Sequence, residues 1–410
     1  MSGKVRHDVA QADAAAKGGV RAPVSAHGTP PASLQAKLLA RWRRWRNVRV
    51  ASPAFQSWAA AHPLTKRATR KDGEQLFDLV AGFVHSQILL ATVELDLLSE
   101  LMEAPQTAAV IADRHRIAPE RMEALLRAAT ALGLLEQGPA GFQTGRLGAA
   151  ATGVPGLADM IRHHAVFYRD MADPLALLRG EADTELANFW PYVFGAQGPV
   201  KPDVAARYSE LMAESQGLVA EETLRAVRFD GIRRLMDVGG GTGAFLTAVG
   251  QATAVPELVL FDLPEVAPGA RARFEAAGLT PRVTIASGSF RDEALPKGAD
   301  AISLVRVLYD HADDTVARLL RAVRTALPPG GRIIVSEPMT GAKHPERAGD
   351  AYFAFYCMAM RTGRARSPHD VSRLLAEAGF VQVARRETSR PFVTSVVEAQ
   401  KPSVTGHPEG

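Results

Sequence analysis

The sequence predicts an α/β protein whose N-terminal half is helical and whose C-terminal half forms a mostly parallel sheet. Short apolar segments alternate with helical patterns through the C-terminal half, which is typical of a sheet covered by helices on both faces. These strands are expected at residues 234–238, 258–262, 283–287, 301–306, 332–337, 381–385 and 392–398. A glycine-rich loop follows the first strand, and an acidic residue ends the second. Together these features predict a nucleoside-binding domain.

The N-terminal half shows helical patterns followed by a hairpin. The helices are expected at 75–98, 107–116 and 120–132, and the two short strands at 133–136 and 141–143. The order helix, helix, hairpin is that of a winged-helix domain. The last of these helices balances two acidic against two basic residues, which are Glu120, Glu123, Arg121 and Arg127. A DNA-reading helix is basic, so we expect a dimerisation role and no nucleic-acid partner.

The domain organisation follows from these patterns. We expect a disordered basic segment over 1–50, a helical winged-helix domain over 51–200, a nucleoside-binding domain over 201–400 and a tail over 401–410. The single cysteine, Cys357, cannot form an internal disulfide, which fits a reducing compartment. The sequence has no signal peptide and no run of 18 apolar residues. We therefore expect a cytoplasmic protein without a membrane-spanning helix, and no metal.

Positive charge is concentrated at the start of the chain. The formal net charge is +4 at pH 7, but residues 1–50 contain ten Lys or Arg and two Asp, so the remaining residues are acidic overall. Within this segment, residues 34–49 have the pattern of a basic helix that carries Trp42 and Trp45. Two interpretations stay open for residues 34–50. They could make peripheral contact with an anionic membrane surface, or form a solvated charged helix.

The glycine loop is the strongest functional signal. Residues 235–245 read LMDVGGGTGAF, so an apolar strand runs into glycines and then into a helix. Glycine lets the backbone approach a ligand closely, and the glycines expected to do so are Gly239, Gly240, Gly241 and Gly243. Asp262 ends the second strand and is placed to bind both ribose hydroxyls of a nucleoside.

The loop favours S-adenosylmethionine over a dinucleotide as the cofactor. A dinucleotide site has the pattern GxGxxG, in which the pyrophosphate meets the helix N-terminus. Here Asp237 precedes the glycines, where a carboxylate repels a pyrophosphate and suits the ammonium group of a methionine moiety. The DVGGGTG run also closely resembles the first motif of class I methyltransferases.

From about residue 75 to residue 398 the chain is similar to the small-molecule O-methyltransferases that include caffeate and acetylserotonin O-methyltransferases. The motifs that carry this resemblance are 262–264 (DLP), 288–290 (GSF), 306–310 (RVLYD) and 334–337 (IVSE). The resemblance implies a Rossmann-like class I methyltransferase domain with an N-terminal winged-helix dimerisation domain. It therefore implies a homodimer.

The same resemblance assigns expected roles to particular residues. Asp262 would hold the ribose, Leu263 would also bind the cofactor, and Arg306 would lie along the cofactor pocket. The residues expected at the adenine are Gly288, Ser289 and Phe290. Tyr208 and Met212 would lie near the methyl acceptor.

Further stretches give a narrower resemblance. Residues 350–356 (DAYFAFY) with 360–364 (MRTGR), and residues 76–84 (LFDLVAGFV), look like the carotenoid hydroxyl methyltransferases of purple phototrophic bacteria. Those enzymes methylate the tertiary C-1 hydroxyl of acyclic carotenoids such as hydroxyneurosporene and demethylspheroidene. The resemblance implies a carotenoid alcohol as acceptor. The alternatives are another apolar hydroxylated or phenolic metabolite, hydroxylation or decarboxylation with the same cofactor, and a non-enzymatic winged-helix regulator.

The sequence departs from the broader family where that family has its general base. The family pattern Leu-His-Asp-Trp reads here Leu308-Tyr309-Asp310-His311, so Tyr309 stands at the base position. His311 has the more suitable intrinsic pKa, about 6.5 against about 10 for a tyrosine, and Tyr309 is the alternative as a hydrogen-bonding group. Glu337 corresponds to one of the two glutamates that orient the base in the family. The catalytic candidates are therefore His311, Tyr309 and Glu337.

Overall fold

The computed structural model describes residues 33–189 and 202–403. The contacts divide the chain into two compact units, one ending at Phe83 and the other beginning at Val84. The first unit contains α1 (Leu34–Val50), α2 (Pro53–Ala61) and the beginning of α3 (Lys66–Glu94), which continues into the second unit.

The basic helix expected over 34–49 is confirmed as α1. Ser33 caps it, because its hydroxyl oxygen accepts a hydrogen bond from the backbone N–H of Ala36 at 3.2 Å. All side chains of α1 are exposed, including those of Trp42 and Trp45. Disorder was expected over residues 1–50, but residues 34–50 of that segment form α1, and residues 1–32 lie outside the described residues.

The helix α3 exposes a row of large apolar side chains, which are Leu76, Phe77, Leu79, Val80 and Phe83. Among the described residues it is the one helix that is long and apolar enough to cross a membrane by length and composition. We expected no such helix, because polar residues such as His85 and Gln87 interrupt the apolar run. The stretch is nevertheless apolar on average. Exposed apolar side chains also fit a subunit interface, so this feature does not assign a membrane span.

The second unit begins with the predicted winged helix. Its elements are α4 (Leu97–Glu103), α5 (Ala108–His115), α6 (Pro119–Ala131), β1 (Leu135–Gly138) and β2 (Gly141–Thr144), the two strands forming an antiparallel hairpin. Pro119 occupies the first turn of α6, where its missing N–H costs no hydrogen bond. A compact core of Leu97, Leu101, Ile111, Met122 and Leu126 holds the helices against the hairpin.

Further helices connect the winged helix to the sheet. They are α7 (Arg146–Thr152), α8 (Leu157–Asp170), α9 (Pro174–Arg179), α10 (Leu186–Phe189) and α11 (Pro202–Ala226). The buried carboxylate of Asp170 at the end of α8 accepts hydrogen bonds from the backbone N–H groups of Glu185 and Leu186 at 2.7 and 2.9 Å. These two bonds fix the start of α10 against α8.

The C-terminal part contains the expected sheet, with seven strands in the order β5-β4-β3-β6-β7-β9-β8. The strands are β3 (Arg234–Val238), β4 (Glu257–Asp262), β5 (Val283–Ser287), β6 (Ala301–Val305), β7 (Arg332–Glu337), β8 (Val381–Arg386) and β9 (Ser395–Gln400). Strands β3 to β7 are parallel, and β9 runs antiparallel to β7 and β8. The α/β class with a mostly parallel sheet is confirmed.

In the seven-stranded sheet, β4, β6, β8 and β9 have boundaries that differ from the prediction, and two of these differences have a visible cause. β6 ends at Val305, because Arg306 has a φ of 58° and so leaves the extended conformation. β9 begins at Ser395 instead of residue 392, because the residues before it form a turn in which Phe392 is exposed. An apolar residue on a turn gave the sequence pattern a false strand start.

Helices cover both faces of the sheet. They are α12 (Ala244–Ala252), α13 (Ala267–Ala276), α14 (Asp313–Ala326), a π-helical turn (Arg347–Phe353) that runs into α15 (Ala354–Ala359), and α16 (Pro368–Glu377). One core packs α14 and α16 on one face, and another packs α11, α12 and α13 on the opposite face. The strand order reverses between β3 and β6, and ligands of such sheets bind in the crevice at the carboxyl ends of the strands at that point.

Candidate active site

The glycine loop lies at this crevice, between β3 and α12. A Cβ atom at Gly240 would lie 2.3 Å from Oδ2 of Asp237, and one at Gly243 would lie 2.3 Å from the ring of Phe274. Gly243 also has a φ of 77°, which favours glycine. These glycines are therefore required for the loop to pack, and the loop brings the backbone of Gly239, Gly240 and Gly241 to the wall of a cavity.

Asp262 stands across the cavity at the end of β4. Its Oδ2 accepts a hydrogen bond from the backbone N–H of Gly241, and its Oδ1 accepts one from the backbone N–H of Leu263, each at 2.7 Å. Burial raises the pKa of Asp262, and these two hydrogen bonds oppose that effect. The carboxylate is thus held in one orientation, and each oxygen keeps a lone pair for a further donor such as a ribose hydroxyl.

Asp237 lies beneath the glycine loop. It is fully buried, does not line the cavity, and accepts a hydrogen bond from the hydroxyl of Ser303 at 2.6 Å. Burial raises the pKa of Asp237 to about 7. The structure thus places this carboxyl where it supports the loop, and not at the cavity surface where the sequence suggested that it would face an ammonium group.

The expected adenine side is formed by Gly288, Ser289 and Phe290, all of which line the cavity. The hydroxyl of Ser289 donates a hydrogen bond to Asp292 at 2.9 Å, and the backbone N–H of Ser289 donates one to Glu293 at 3.1 Å. Carboxylates on the following turn therefore hold the segment. The ring of Phe290 remains at the cavity wall as an apolar surface for a flat base.

His311 lies beside this adenine side. Its ring meets that of Phe290 edge-on, with 5.3 Å between centroids, and its Nδ1 is 3.2 Å from Nη2 of Arg291. Arginine can only donate, so Nδ1 accepts and the imidazole is neutral. Burial, Arg291 and Arg366 lower the pKa of His311 to about 4. This histidine is therefore a weak base in the folded protein.

Tyr309 and Arg306 also line the cavity. Arg306 donates a hydrogen bond through Nη1 to the hydroxyl of Ser215 at 2.8 Å. Tyr309 lies on a short 3₁₀ turn, Leu308–Asp310, and burial raises the pKa of its phenol well above the usual range. Asp310 next to it is buried with its pKa also well above the usual range, and it lines the cavity. Asp310 was not named as a site residue from the sequence, because only Tyr309 and His311 of this motif were compared with the family's general base.

Glu337 supports this turn from the end of β7. Its Oε2 accepts a hydrogen bond from the backbone N–H of Tyr309 at 3.1 Å, and Glu337 does not line the cavity. Burial raises the pKa of Glu337 to about 7, against the opposing effect of Arg366. The glutamate thus positions the backbone of Tyr309 and does not reach its side chain.

Arg366 was missed by the sequence analysis and holds the same turn from the other side. Its fully buried guanidinium donates hydrogen bonds to the carbonyl oxygens of Leu308 at 2.7 Å and His311 at 2.8 Å. It also forms an ion pair with Asp313 at 2.6 Å. No local motif surrounds Arg366, so the sequence carries no signal for this role.

Most of the sequence-predicted site residues are brought together in one cavity. Those that line it are Gly239, Gly240, Gly241, Asp262, Leu263, Gly288, Ser289, Phe290, Arg306, Tyr309 and His311. Asp237, Gly243 and Glu337 lie behind its wall. Tyr208 and Met212 lie on α11, and their side chains are outside the described part of the chain.

These residues fit S-adenosylmethionine. The fixed carboxylate of Asp262 could bind the ribose, and the backbone of the glycine loop lies at the cavity wall, where it could contact the methionine chain. The ring of Phe290 provides an apolar surface for the adenine. Bound there, the sulfonium of the cofactor would supply an activated methyl group. The fold and site define a class I methyltransferase that depends on S-adenosylmethionine.

Comparison with known proteins specifies the class further. Residues 168–381 match the O-methyltransferase domain and residues 77–174 match the O-methyltransferase dimerisation domain. The chain belongs to this O-methyltransferase family and is an S-adenosylmethionine-dependent enzyme. The dimerisation-domain match supports a homodimer, and it includes all but the first of the exposed apolar residues of α3.

Two relatives and one solved structure illustrate the similarity. The chain is 55% identical to demethylspheroidene O-methyltransferase of Cereibacter sphaeroides, over 87% of this chain and 94% of that protein. It is 51% identical to the enzyme of the same name from Rhodobacter capsulatus, over 83% and 85%. The crystal structure of human N-acetylserotonin methyltransferase in complex with SAM has the same fold, with a TM-score of 0.68, 24% identity and coverage of 81% of this chain and 98% of that one.

Proposed function

We propose that this chain methylates the tertiary C-1 hydroxyl of an acyclic carotenoid of the hydroxyneurosporene or demethylspheroidene type, in spheroidene-type carotenoid biosynthesis. The observation that carries the acceptor is the high identity, over most of both chains, to two demethylspheroidene O-methyltransferases. The family membership carries the methyl transfer itself.

The geometry supports a site that works by positioning. Methyl transfer needs the acceptor oxygen in line with the methyl–sulfur bond, exclusion of water and a destination for one proton. Glu337 and Arg366 hold the turn 308–311 rigidly behind the cavity, so Tyr309 is fixed at its wall. A tertiary alcohol is a weak acid, so its proton is lost as the new bond forms and not beforehand.

The catalytic candidates take different roles in this proposal. Tyr309 borders the acceptor as a neutral phenol, because burial keeps its pKa high. Glu337 positions the backbone of Tyr309. His311 borders the adenine beside Phe290, and its Nδ1 already accepts a hydrogen bond from Arg291, so its neutral ring has no free nitrogen to receive the proton.

Product analysis tests the proposed acceptor. The purified chain is incubated with cofactor labelled in its methyl group and with either an acyclic carotenoid alcohol in detergent or a panel of phenols. We expect label in a carotenoid methyl ether and none in the phenols. Label in the phenols alone would assign a different acceptor, and no label in either class would overturn the proposed function.

We further propose that α1 makes peripheral contact with an anionic membrane surface. The exposed fractions of Trp42 and Trp45 are 52% and 59%, and Arg46 and Arg49 lie over their rings at 5.2 and 5.8 Å. Indole rings favour the headgroup region of a bilayer, and each basic side chain near an anionic surface adds about 1 kcal/mol. An acyclic carotenoid is a membrane-soluble acceptor, so such contact would bring the enzyme to its substrate.

Vesicle sedimentation tests this contact. The double variant Trp42→Ser and Trp45→Ser should lose binding to vesicles of anionic lipid, and added salt should weaken binding of the wild type. Trp58→Ser is the matched control, since Trp58 on α2 is 52% exposed but lies outside the basic helix. Equal sedimentation of all three proteins, or binding insensitive to salt, would contradict the proposal.

A further inference from the structure

Two histidine–tyrosine pairs connect α8 to the segment 347–359. Nε2 of His164 is 2.6 Å from Oη of Tyr352, and Nε2 of His163 is 2.9 Å from Oη of Tyr356. The two tyrosine rings are stacked with 5.9 Å between centroids. Burial lowers the pKa of both histidines, that of His163 to about 4, so both imidazoles are neutral at pH 7. In the tautomer with its proton on Nδ1, each histidine accepts the hydrogen bond of its tyrosine.

The two pairs differ in their surroundings. His163 and Tyr356 are buried, whereas His164 and Tyr352 keep part of their surface accessible. Tyr352 belongs to the π-helical turn, a form frequently found at functional sites, whereas Tyr356 belongs to the regular helix α15. The His164–Tyr352 pair is therefore the more accessible of the two.

Phe353 connects Tyr352 to the cavity residue Tyr309. The ring of Phe353, the next residue, packs edge-on against Tyr309 with 6.3 Å between centroids, and the ring of Tyr352 packs against Phe353 at 4.9 Å. The charge of Arg306, which lines the cavity, acts on the phenol of Tyr352 and opposes the rise in pKa caused by burial. Tyr352 thus lies one aromatic ring behind the cavity residue Tyr309.

We propose that Tyr352 and His164 form the proton route of the methyl transfer, in which Tyr352 meets the acceptor hydroxyl and His164 takes the proton. This inference rests on the proposed methylation of an alcohol. The oxygen–carbon bond forms while the carbon–sulfur bond breaks and leaves its electron pair on sulfur. The acceptor oxygen becomes cationic, and its proton passes to Oη of Tyr352 while the phenol proton passes to Nε2 of His164. No tyrosinate is formed, so the high pKa of the phenol is no obstacle.

The groups around the pair determine how it depends on pH. Burial lowers the pKa of His164, and His163 beside it in the chain is itself neutral. Tyr356 stacks on Tyr352 as a neutral phenol, and the charge of Arg306 acts on the phenol of Tyr352. These surroundings keep His164 neutral until the pH falls below the ordinary histidine pKa of about 6.5. Methyl transfer should therefore be lost along an acid limb that lies below that pH.

Single-turnover kinetics test the route, because they measure the methyl transfer itself with enzyme in excess over labelled cofactor. His164→Gln keeps a carbonyl oxygen that accepts the hydrogen bond of Tyr352 but cannot take a proton. We expect the rate constant to fall by about 10²–10⁴-fold, the usual contribution of general acid–base catalysis, and the acid limb to disappear. Tyr352→Phe should give the same two changes, and cofactor affinity should be unchanged in both variants.

His163→Gln and Tyr356→Phe are the matched controls, since they alter the neighbouring pair on the same two elements. They should retain the rate and the acid limb of the wild type. Wild-type rates in His164→Gln and Tyr352→Phe, or equal losses in both pairs with the acid limb intact, would show that these residues are only structural. If the wild-type chain itself methylates no alcohol, the proposed function fails. If it does, and His164→Gln and Tyr352→Phe keep the wild-type rate constant, only the proton route fails.

Discussion

Replacing Asp262 should weaken cofactor binding by an amount that the structure allows us to work out. Its carboxylate is fixed by the backbone N–H groups of Gly241 and Leu263 and faces the position of the ribose. A hydrogen bond to a charged group contributes about 1.5–3 kcal/mol, so two ribose hydroxyls account for about 3–6 kcal/mol. At about 1.4 kcal/mol for each factor of ten, Asp262→Ala should raise the Kd for S-adenosylmethionine by roughly 10²–10⁴-fold.

Asp262→Asn separates the lost charge from the lost volume. An asparagine keeps one acceptor oxygen but places an NH₂ group against one of the two backbone N–H donors. Its Kd should therefore lie between those of the wild type and Asp262→Ala.

Titration calorimetry with S-adenosylmethionine gives these constants directly. Asp230→Ala removes an exposed carboxylate from the same unit and controls for the change in net charge. The reasoning is refuted if Asp262→Ala and Asp230→Ala bind the cofactor equally well. Turnover of Asp262→Ala at saturating cofactor should approach that of the wild type, because the ribose lies away from the reacting methyl group.

Three further outcomes are expected. His311→Ala should weaken cofactor binding and leave saturated turnover largely intact. A fall in kcat of about 10²–10⁴-fold at unchanged cofactor affinity would instead make His311 the base. Tyr309→Phe removes the phenol hydroxyl alone and so measures its contribution to kcat. Arg366→Met should lower the free energy of unfolding by about 3–5 kcal/mol, because the buried acceptors of Arg366 lose their partner. Arg364→Met breaks an exposed ion pair with the same residue, Asp313, and should change that free energy by less than about 1 kcal/mol. Denaturant unfolding of both variants and the wild type measures the difference. Burial raises the pKa of Glu337 to about 7, and stability from a raised carboxyl pKa is present at low pH and lost as pH rises through the folded value. Glu337→Gln should therefore reduce the loss of unfolding free energy between about pH 5 and pH 8, and an identical pH dependence in both proteins would show that Glu337 titrates normally.

The parts of the site that the sequence predicted are those formed by neighbouring residues. The glycine loop, its strand and its helix are contiguous, and Asp262 ends the next strand in the chain, so their proximity follows from parallel pairing of β3 with β4. Periodicity also predicted the winged helix, since α5, α6, β1 and β2 each contact the next element along the chain.

The parts that the sequence could not predict depend on residues far apart in the chain. Arg366 bonds to carbonyls more than 50 residues away, and His164 meets Tyr352 across 188 residues. Neither contact leaves a local pattern. The burial of Asp237 beneath the loop is similar, because strand periodicity shows which face a side chain takes but not whether a cavity opens beside it.

The altered motif at 308–311 can now be explained through the residues that support it. Glu337 and Arg366 bind the backbone of this turn, through the N–H of Tyr309 and the carbonyls of Leu308 and His311, so its conformation is independent of the side chains that it carries. A histidine can therefore be replaced by Tyr309 without loss of the turn. A base adjacent to the acceptor is most useful for a phenol, which is deprotonated before attack. A tertiary alcohol gives up its proton only as the carbon–oxygen bond forms. The neutral phenol of Tyr352, hydrogen-bonded to the neutral imidazole of His164 on α8, is suited to that later transfer.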